Sequence, residues 1–355
     1  MRTVKKLLLE YGKRFEEHSQ PIVVSSRVRL ARNFSQFRFP SNAKDSERTE
    51  ILNFAKHYVQ KLKDFKIFID LSELKKPEQL ALQERRVISK ELLERKVGAG
   101  VICSDRALAS IMINEEDHLR IQVIGSGLQL RDIWKKINDI DDAIDDGYYA
   151  FSQPMGYLTA CPSNVGTGMR ASIMLHLPGL GMAEQIQHLI DAVQQIGIVV
   201  RGVHGEGSQA RGYMYQISNQ QTLGICETDE IQRLEHVIKT IIDQEKSARE
   251  GILKHSRTQF LNKIGRIYGV LCSCYTLESE EAFEMLAWMR LAADCGLIDG
   301  QNRAGIDRYM VESQPGNLVV LYDKNLSPEE RDIIRAENMR IFFRNIPDLQ
   351  FDAKF

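Results

Sequence analysis

Five arginines of the 355-residue sequence occur in four short segments whose composition suits the binding of a polyanion. They are Arg27 and Arg29 in SSRVRLAR, Arg120 in INEEDHLR, Arg170 in CPSNVGTGMRAS and Arg201 in RGVHGEG. A guanidinium stays charged and can bind two phosphate oxygens at once, so a group of arginines makes a strong phosphate site. The four segments together therefore predict a site for a polyphosphate.

The first of these segments places two arginines on one side of a strand. Strand side chains repeat every two residues, so Arg27 and Arg29 project together if the strand persists. A solvated strand face explains this motif alone equally well. Gly166 and Gly168 suit a loop whose backbone N–H groups face an anion, although an ordinary turn explains them too. The combination carries the prediction, because all five arginines are expected near strand ends, where binding residues concentrate.

Two glutamates, Glu116 and Glu206, stand in the same segments. Phosphoryl transfer needs charge compensation and in-line positioning, which arginines and Mg²⁺ provide. Carboxylates beside such a site would hold a cationic acceptor, and a guanidinium is the planar partner that pairs with them through two hydrogen bonds. A guanidinium is protonated at neutral pH, so a base must take its proton as the N–P bond forms. The residues thus predict phosphoryl transfer to a guanidine.

Several other classes of protein are excluded by what the sequence lacks. It contains no GxxxxGK[ST], no complete GxGxxG and no HRD or DFG element. The net charge of −1 gives no global attraction to nucleic acid or to an anionic membrane. The six cysteines lack metal-site spacing, and no set of protein metal ligands is predicted. With neither a signal peptide nor a membrane anchor in the sequence, a reduced, cytoplasmic protein is expected.

The elements that must position these residues follow an α+β pattern. Short β-branched runs alternate with helical patterns over residues 21–218, and one helix is predicted from about residue 182 to 196. After about residue 228 a helical stripe begins with Ile231, Leu234 and Ile238. We therefore predict a catalytic domain over residues 1–228 and a helical domain over residues 229–355. The last helix is expected to begin after Ser327, with Glu330 completing a capping box.

In this order the four segments closely resemble the catalytic domain of the phosphagen (guanidino) kinases. The resemblance implies an antiparallel, curved sheet flanked by helices, ATP and Mg²⁺ as cofactors, and a guanidino nitrogen as acceptor. It also implies that Glu116 is the catalytic base, that Glu206 is its partner on the guanidinium, and that Cys161 supports the guanidinium electrostatically. The nucleotide contacts it implies are Ser25, Ser26, Arg27, Val28, Arg29, Arg120, Arg170, Ala171, Ser172, Ile173, Met174, Arg201, Gly202, Val203, His204, Gly205 and Glu206.

Differences from the small-molecule members of that family narrow the range of candidate substrates. Those members carry a helical domain before the SSRVR strand, whereas here Ser25 stands near the amino terminus, so a more open acceptor site is expected. Relatives have a histidine near the adenine in a Lys-His-Leu stretch, where this sequence has Glu91. The contacts of the base are therefore left open.

The C-terminal part contains RDIIRA, which matches the RDxxRA motif of bacterial protein-arginine kinases of the McsB type. Nearly the whole chain is similar to that family. There the motif forms a second pocket that binds phosphoarginine and regulates activity, and a solvated helix end is the alternative explanation. The corresponding residues are Arg331, Asp332, Ile333, Ile334, Arg335 and Ala336.

The resemblance implies an ATP-dependent protein-arginine kinase that acts on exposed arginines of protein substrates. It also implies a role in bacterial stress response and protein quality control. The implied partners are a zinc-containing activator protein, a Clp ATPase-protease and a stress-gene repressor, and a homodimer is expected through the helical domain. A kinase for free arginine and a catalytically silent adaptor for phosphoarginine proteins are the alternatives.

Overall fold

The computed structural model describes residues 2–95, 97–104, 108–203 and 210–352 of the chain. Its strands are β1 (Val23–Arg32), β2 (Ile67–Asp70), β3 (Gly100–Cys103), β4 (Ala109–Ile113), β5 (Leu119–Ser126), β6 (Phe151–Ser152), β7 (Gly156–Tyr157), β8 (Met169–His176), β9 (Ile198–Gly202) and β10 (Met214–Asn219). Its helices are α1 (Arg2–Glu17), α2 (Asp45–Val59), α3 (Lys76–Glu84), α4 (Lys90–Leu93), α5 (Leu130–Ile144), α6 (Pro178–Met182), α7 (Ile186–Gln194), α8 (Glu227–His255), α9 (Arg257–Ser273), α10 (Ser279–Asp294), α11 (Asn302–Glu312), α12 (Pro315–Tyr322) and α13 (Pro328–Arg344).

Eight of these strands form one sheet, in the order β2-β3-β4-β5-β1-β8-β10-β9. Each pairing in this sheet is antiparallel. β6 and β7 form a separate hairpin. The predicted antiparallel sheet with flanking helices and a helical C-terminal region is therefore confirmed. Strand β1, which carries the SSRVR motif, pairs with β5 on one side and β8 on the other, so the motif lies inside the sheet.

Alternation along β1 divides its side chains between two environments. Val28 and Leu30 are fully buried in the main hydrophobic core, which also holds Ile173 of β8 and Ile133 of α5. Arg27 and Arg29 lie at the alternate positions and project from the opposite face. One face of the sheet is thus closed by apolar packing, and the other is available for charged groups.

A second core joins the C-terminal helices to the sheet. It contains Leu286 of α10, Met339 and Phe343 of α13, and the strand residues Met174 and Met214. The C-terminal helices therefore pack directly on the edge of the face that carries the arginines. The chain division predicted at residue 228 stays a prediction, and the structure places the first half of α8, including Ile231 and Ile238, in the main core.

Local predictions for helices had mixed outcomes. The stripe of α8 and the capping box at Ser327 are confirmed, with Glu330 N–H donating to Ser327 Oγ at 3.2 Å. The helix predicted over residues 182–196 is confirmed as α7, but its predicted start is wrong, because α6 ends at Met182 and α7 begins only at Ile186. Glu184 lies between them with a φ of 58°, a left-handed conformation that no helix continues through.

Helix α1 was not predicted. Its residues Val4, Leu7, Leu8 and Tyr11 are nevertheless at helical spacing and pack in a third cluster with Val320 of α12 and residues of α3. Within the described ranges we find no helix with the length and apolar character needed to span a bilayer.

Candidate active site

Strand register brings the predicted arginines onto one face of the sheet. Arg29 lies directly opposite Arg170 of β8 and opposite Gln122 of β5. Arg120 lies opposite Ala31, two residues along β1 from Arg29. Arg201 of β9 lies opposite Gln216 of β10, which completes the row across the sheet. All five arginines line one cavity of about 960 Å³. Arg120, Arg170 and Arg201 each stand one residue from the end of a strand, as the sequence suggested, whereas Arg27 and Arg29 lie in the middle of β1.

This concentration of like charge is unfavourable without an anion. Burial and the neighbouring cations Arg86 and Arg120 lower the pKa of Arg27 to about 9. Burial, with Arg27 as the strongest neighbouring charge, also lowers the pKa of Arg29 well below its usual value. Opposed cations on adjacent strands destabilise a sheet. The arrangement is therefore one that a bound polyanion would relieve.

Hydrogen bonds hold the arginines in place while leaving donors unused. Arg27 Nη2 donates to Gln216 Oε1 at 3.1 Å, and Arg170 Nη2 donates to Ser218 Oγ at 3.1 Å. In the part of the chain that the structure describes, the buried Nε atoms of Arg29 and Arg170 have no hydrogen-bond partner. Of the carboxylates in that part, Glu115 is the one that forms an ion pair with any of the five arginines. Most of the positive charge is thus not neutralised internally.

The turn between β4 and β5 separates the roles of its acidic residues. Glu115 is buried, and its Oε2 accepts a hydrogen bond from Arg120 Nη1 at 2.5 Å. Burial raises the pKa of Glu115, but the charge and hydrogen bond of Arg120, with hydrogen bonds from Ser89 and the Glu116 N–H, bring it below the usual value. Glu115 is therefore an ionised group that orients Arg120.

Glu116, the next residue, faces the same cavity as the arginines. It is half-buried, and burial followed by the charge of Asp117 raises the pKa of its carboxyl. A raised pKa makes the carboxylate a stronger base. Asn164 Nδ2 lies 3.5 Å from Glu116 Oε2 and connects this turn to the loop after Cys161.

Asp117 and His118 fix the turn through hydrogen bonds to neighbouring segments of the chain. Asp117 Oδ1 accepts hydrogen bonds from Asn33 Nδ2 at 2.6 Å and from the Ala160 N–H at 2.7 Å. His118 Nδ1 accepts from the Phe34 N–H at 3.0 Å, and Nε2 lies 2.8 Å from the Arg38 carbonyl oxygen. Burial lowers the pKa of His118 to about 4, so the ring is neutral and structural at pH 7.

Cys161 lies in the loop that Asn164 joins to Glu116. It is half-buried, its Sγ lies 3.0 Å from Ser163 Oγ, and it precedes the short helical turn Pro162–Asn164. Thr222 Oγ1 donates to the carbonyl oxygens of Ser163 and Val165, at 3.0 and 2.8 Å. The loop is therefore fixed to the segment that follows β10, and its Asn164 lies beside Glu116.

The other predicted nucleotide contacts divide by their position on the strands. Ser172 and Met174 share the face of the arginines, and Gly202 and Val203 line the cavity. The side chains of Val28, Ala171 and Ile173 are buried in the core, so only their backbone is available to a ligand. Ser26 Oγ donates to the Gly127 carbonyl oxygen at 2.7 Å. His204, Gly205 and Glu206 lie outside the described residues.

Comparison with known proteins agrees with this geometry. A family model described as ATP:guanido phosphotransferase, C-terminal catalytic domain, matches residues 49–248, and one described as protein-arginine kinase McsB C-terminal domain matches residues 257–354. The protein-arginine kinase of Bacillus subtilis is 42% identical over 90% of this chain and 89% of its own. That of Halothermothrix orenii is 41% identical over 89% of this chain and 91% of its own. The chain belongs to the protein-arginine kinase family.

Solved structures support the fold of this family member. Lombricine kinase matches with a TM-score of 0.58 and 25% identity, over 65% of this chain and 68% of that one. The duplicated taurocyamine kinase from Schistosoma mansoni matches with a TM-score of 0.58 and 24% identity. The match covers 65% of this chain and only 35% of the duplicated enzyme.

The protein-arginine kinase fold places the RDIIRA segment on the first turns of α13. The Arg335 side chain is buried: its Nε donates to the Ser313 carbonyl oxygen at 2.8 Å, and its Nη1 donates to the Leu277 carbonyl oxygen at 2.6 Å and to Asp332 Oδ1 at 2.5 Å. Arg331 and Asp332 are half-buried, and Ala336 belongs to the second core. The segment therefore presents Arg331 and Asp332 outward, whereas Arg335 braces the helix.

The cofactors of the family are ATP and Mg²⁺. Among residues 2–95, 97–104, 108–203 and 210–352, no three His, Cys, Asp or Glu side chains are grouped closely enough to hold a metal ion. Glu115 is committed to Arg120, so it is not a free ligand. The side chains present suit a Mg²⁺ that arrives with the nucleotide, bound by phosphate oxygens and water.

Three residues around the cavity were missed by the sequence analysis. The position of Gln216 could have been predicted from the sequence. Met214, Gln216 and Ser218 are spaced two residues apart along β10, so their side chains lie on the same face of the strand. Asn164 was quoted within a motif without a role. Arg86 also lines the cavity, and it follows α3 with a φ of 60°. Its position depends on how α3 packs, which no local pattern reveals.

Proposed function

We propose that this kinase transfers the γ-phosphoryl group of MgATP to the guanidinium of arginine residues in proteins. One observation supports this most directly: the five-arginine face and Glu116 line the same cavity of about 960 Å³. A donor polyanion and a cationic acceptor can therefore meet at one place. Relatives that are 42% identical over 90% of the chain are named protein-arginine kinase, which favours a protein side chain as acceptor.

The donor half works by charge compensation. Negative charge on the γ-phosphoryl oxygens and on the leaving ADP must be stabilised during transfer, and fixed guanidinium groups do this without reorganising. Arg29, Arg170 and Arg120 face one another across adjacent strands, so their positions are set before the nucleotide binds. Mg²⁺, when bound with ATP, supplies further charge on the phosphate oxygens.

The acceptor half works by removal of a proton. The Glu116 carboxylate accepts an N–H proton from the substrate guanidinium as its nitrogen forms a bond to the γ-phosphorus. The bond between that phosphorus and the β–γ bridging oxygen breaks, and ADP leaves with the electron pair. The proposed partner Glu206 would hold the opposite edge of the guanidinium, and Cys161 would support it electrostatically.

The test is an incubation of the full chain with Mg²⁺ and ATP labelled at the γ position, in the presence of either an unfolded protein or free arginine. We expect label in the protein, found on arginine by mass spectrometry without acid treatment. Replacing Glu116 by Gln should slow transfer by about 100-fold or more while leaving the fold intact. Glu250→Gln, at an exposed position of α8, is the matched control. Label in free arginine alone, or full activity of Glu116→Gln, would contradict the proposal.

We further propose that residues 331–336 form a phosphoarginine-binding pocket. Support comes from the motif, from the matched C-terminal family model and from the outward position of Arg331 and Asp332. Replacing Asp332 and Arg335 by alanine would then weaken phosphoarginine binding and leave ATP binding unchanged. Equal phosphoarginine affinity in this variant would remove the second pocket.

The wider biological setting is also a proposal. The family resemblance supports a cytoplasmic location, a homodimer through the C-terminal helices, and action in stress response. It further supports three kinds of partner: a zinc-containing activator protein, a Clp ATPase-protease that degrades marked proteins, and a stress-gene repressor that phosphorylation inactivates. Sedimentation of the purified chain tests the dimer directly.

A further inference from the structure

A cavity of about 460 Å³ lies between the α6–α7 connection, the short helical turn Arg211–Tyr213 and α10. We call it the aromatic cavity, after its three rings, Tyr213, Tyr215 and Trp288. We propose that it binds the cationic end of a lysine or arginine side chain of a protein substrate. The inference rests on the proposed function for the source of that side chain, and it adds a second basic residue to the arginine that is phosphorylated.

The rings of this cavity suit a cation. The rings of Tyr213 and Trp288 stand edge to face, with their centroids 6.0 Å apart and their planes at 85°. The face of an aromatic ring carries partial negative charge and attracts a cation. Trp288 already has one such neighbour, because Lys263 Nζ of α9 lies 5.6 Å from its ring centroid. Trp288 is half-buried, so part of its surface is open to a ligand.

Two carboxylates add negative charge to the aromatic cavity. Glu184, between α6 and α7, and Glu284 of α10 both line it, and both are exposed. Within the described ranges neither forms an ion pair, whereas Glu280, one turn before Glu284, pairs with Arg211 Nη1 at 2.6 Å. After burial, the charge of Glu284 raises the pKa of Tyr213, so this carboxylate lies near the ring. Rings and unpaired carboxylates together recognise a guanidinium or an ammonium group.

Local backbone features hold the ring of Tyr213 and the Glu184 carboxylate in place. A Cβ at Gly181 would lie 2.3 Å from Tyr213 Cδ1, so only glycine leaves room for the ring. Gly212 has a φ of 60°, and a Cβ there would lie 2.8 Å from Ala287 Cβ of α10. Glu184 has a φ of 58° just after α6, where glycine is the favoured residue. The chain therefore keeps a carboxylate at this cavity in spite of an unfavourable backbone conformation.

One backbone hydrogen bond joins the aromatic cavity to the cavity of the five arginines. Val203 lines the cavity of the arginines, as Glu116 does, and its carbonyl oxygen accepts from the Arg211 N–H at 3.2 Å. Arg211 stands between Ala210 and Gly212, which line the aromatic cavity. The two linings are therefore adjacent. A protein segment whose arginine reaches Glu116 can place a second basic side chain in the aromatic cavity.

The test follows the fluorescence of Trp288 as a basic peptide binds. Trp134 and Trp288 are the two tryptophans of the sequence, so Trp134→Phe leaves Trp288 as the source of tryptophan emission. The probes are unstructured glycine–serine peptides that carry three lysines, three arginines or three glutamines. We expect saturable changes with the basic peptides and none with the glutamine peptide. In this background, Glu184→Gln combined with Glu284→Gln should raise the dissociation constants of the basic peptides by about fivefold or more.

Glu50→Gln combined with Glu250→Gln is the matched control, because it removes the same charge from exposed positions of α2 and α8. It should change the dissociation constants by less than about twofold. Trp288→Leu, followed by the anisotropy of a fluorescein-labelled lysine peptide, should also weaken binding, and retained ATP binding reports a folded chain. Fluorescence that does not saturate, equal affinity for the lysine and glutamine peptides, or equal effects of the two double variants would overturn the assignment.

Enzyme kinetics separate this inference from the proposed function. For a peptide with one arginine flanked by lysines, Glu184→Gln combined with Glu284→Gln should raise KM by about fivefold. The KM of a peptide with glutamines in place of the lysines should not change. A chain that binds basic peptides beside Trp288 but never phosphorylates a protein would refute only the proposed function. A chain that phosphorylates proteins and shows no such binding would refute only this inference.

Discussion

Two groups of arginines in this molecule differ in how their charge is balanced. On the sheet, Arg27 and Arg170 have hydroxyl and amide partners and Arg29 lies beside them, and within the described ranges none of the three forms an ion pair with a carboxylate. Between α8, α10 and α11, each cation meets an anion: Arg249 pairs with Glu245 and Asp294, and Arg290 pairs with Asp307. The sheet arginines are half-buried, whereas Arg249 and Arg290 are buried, so the group without carboxylate partners is also the one that a ligand can reach.

The consequences for pKa follow the same division. Burial alone would raise the pKa of Asp294, but the charges of Arg290, Arg249 and Arg303 outweigh it and bring the value to about 2. On the sheet, burial and neighbouring cations act together and lower the pKa of Arg27 to about 9. The balanced group stabilises the junction of the two cores. The unbalanced group requires a ligand to reach its lowest free energy.

The largest effect is expected where the balanced group is broken. Asp294→Asn leaves the buried Arg249 and Arg290 and the half-buried Arg303 without their shared anion and should lower the free energy of unfolding by about 3–5 kcal/mol. Urea unfolding at pH 7 measures it, with Asp323→Asn, at an exposed position after α12, as control. Because the folded pKa is depressed, the stabilisation is present above pH ~4 and is lost as the pH falls toward 2. If the free energy of unfolding fell by less than about 1 kcal/mol, Asp294 would not balance these arginines, and the difference between the two groups would be contradicted.

Removing one cation of the unbalanced group should have the opposite effect on stability. Arg29→Gln should slow phosphoryl transfer by about 100- to 1,000-fold, because a group that stabilises the transferred charge is lost. Without nucleotide, its free energy of unfolding should rise by about 1 kcal/mol, since repulsion from Arg27, Arg120 and Arg170 is relieved. Arg131→Gln, which removes the exposed partner of Glu235, serves as control for both assays. If Arg29→Gln lowered both the rate of phosphoryl transfer and the free energy of unfolding, Arg29 would belong with the arginines whose charge is balanced within the protein.

The third prediction extends the comparison to a buried group that stays neutral, and its effect appears only when the pH is lowered. The folded pKa of His118 is about 4, so between about pH 6.5 and 4 the unfolded chain binds a proton that the folded chain does not. Stability should therefore fall by about 3 kcal/mol from pH 7 to pH 4 through this residue. Urea unfolding of His118→Gln should show a shallower pH dependence than the natural chain.

His188→Gln, at an exposed position of α7, is the matched variant and should keep the natural pH dependence. If His118→Gln kept it too, the ring would not be the neutral structural group that its hydrogen bonds to Phe34 and Arg38 indicate.

Much of the fold and site was accessible from local patterns. The spacing of Arg27 and Arg29, the stripe of α8 and the capping box at Ser327 depend on residues within a few positions of each other, and the structure confirms them. The start of the helix predicted over residues 182–196 shows the limit of the same reasoning, since the helix begins at Ile186. Its apolar spacing was helical, but Glu184 adopts a left-handed conformation that breaks it.

The sequence by itself determined the residue types of the site, their order and their alternation, because these are properties of short segments. Only the tertiary structure decided that Arg29 stands opposite Arg170, that Glu115 neutralises Arg120 while Glu116 lines the cavity of the arginines, and that Met174 meets Met310 across a cavity. The physical reason is that strand register and helix docking depend on contacts between residues far apart in the chain. No local periodicity encodes those contacts.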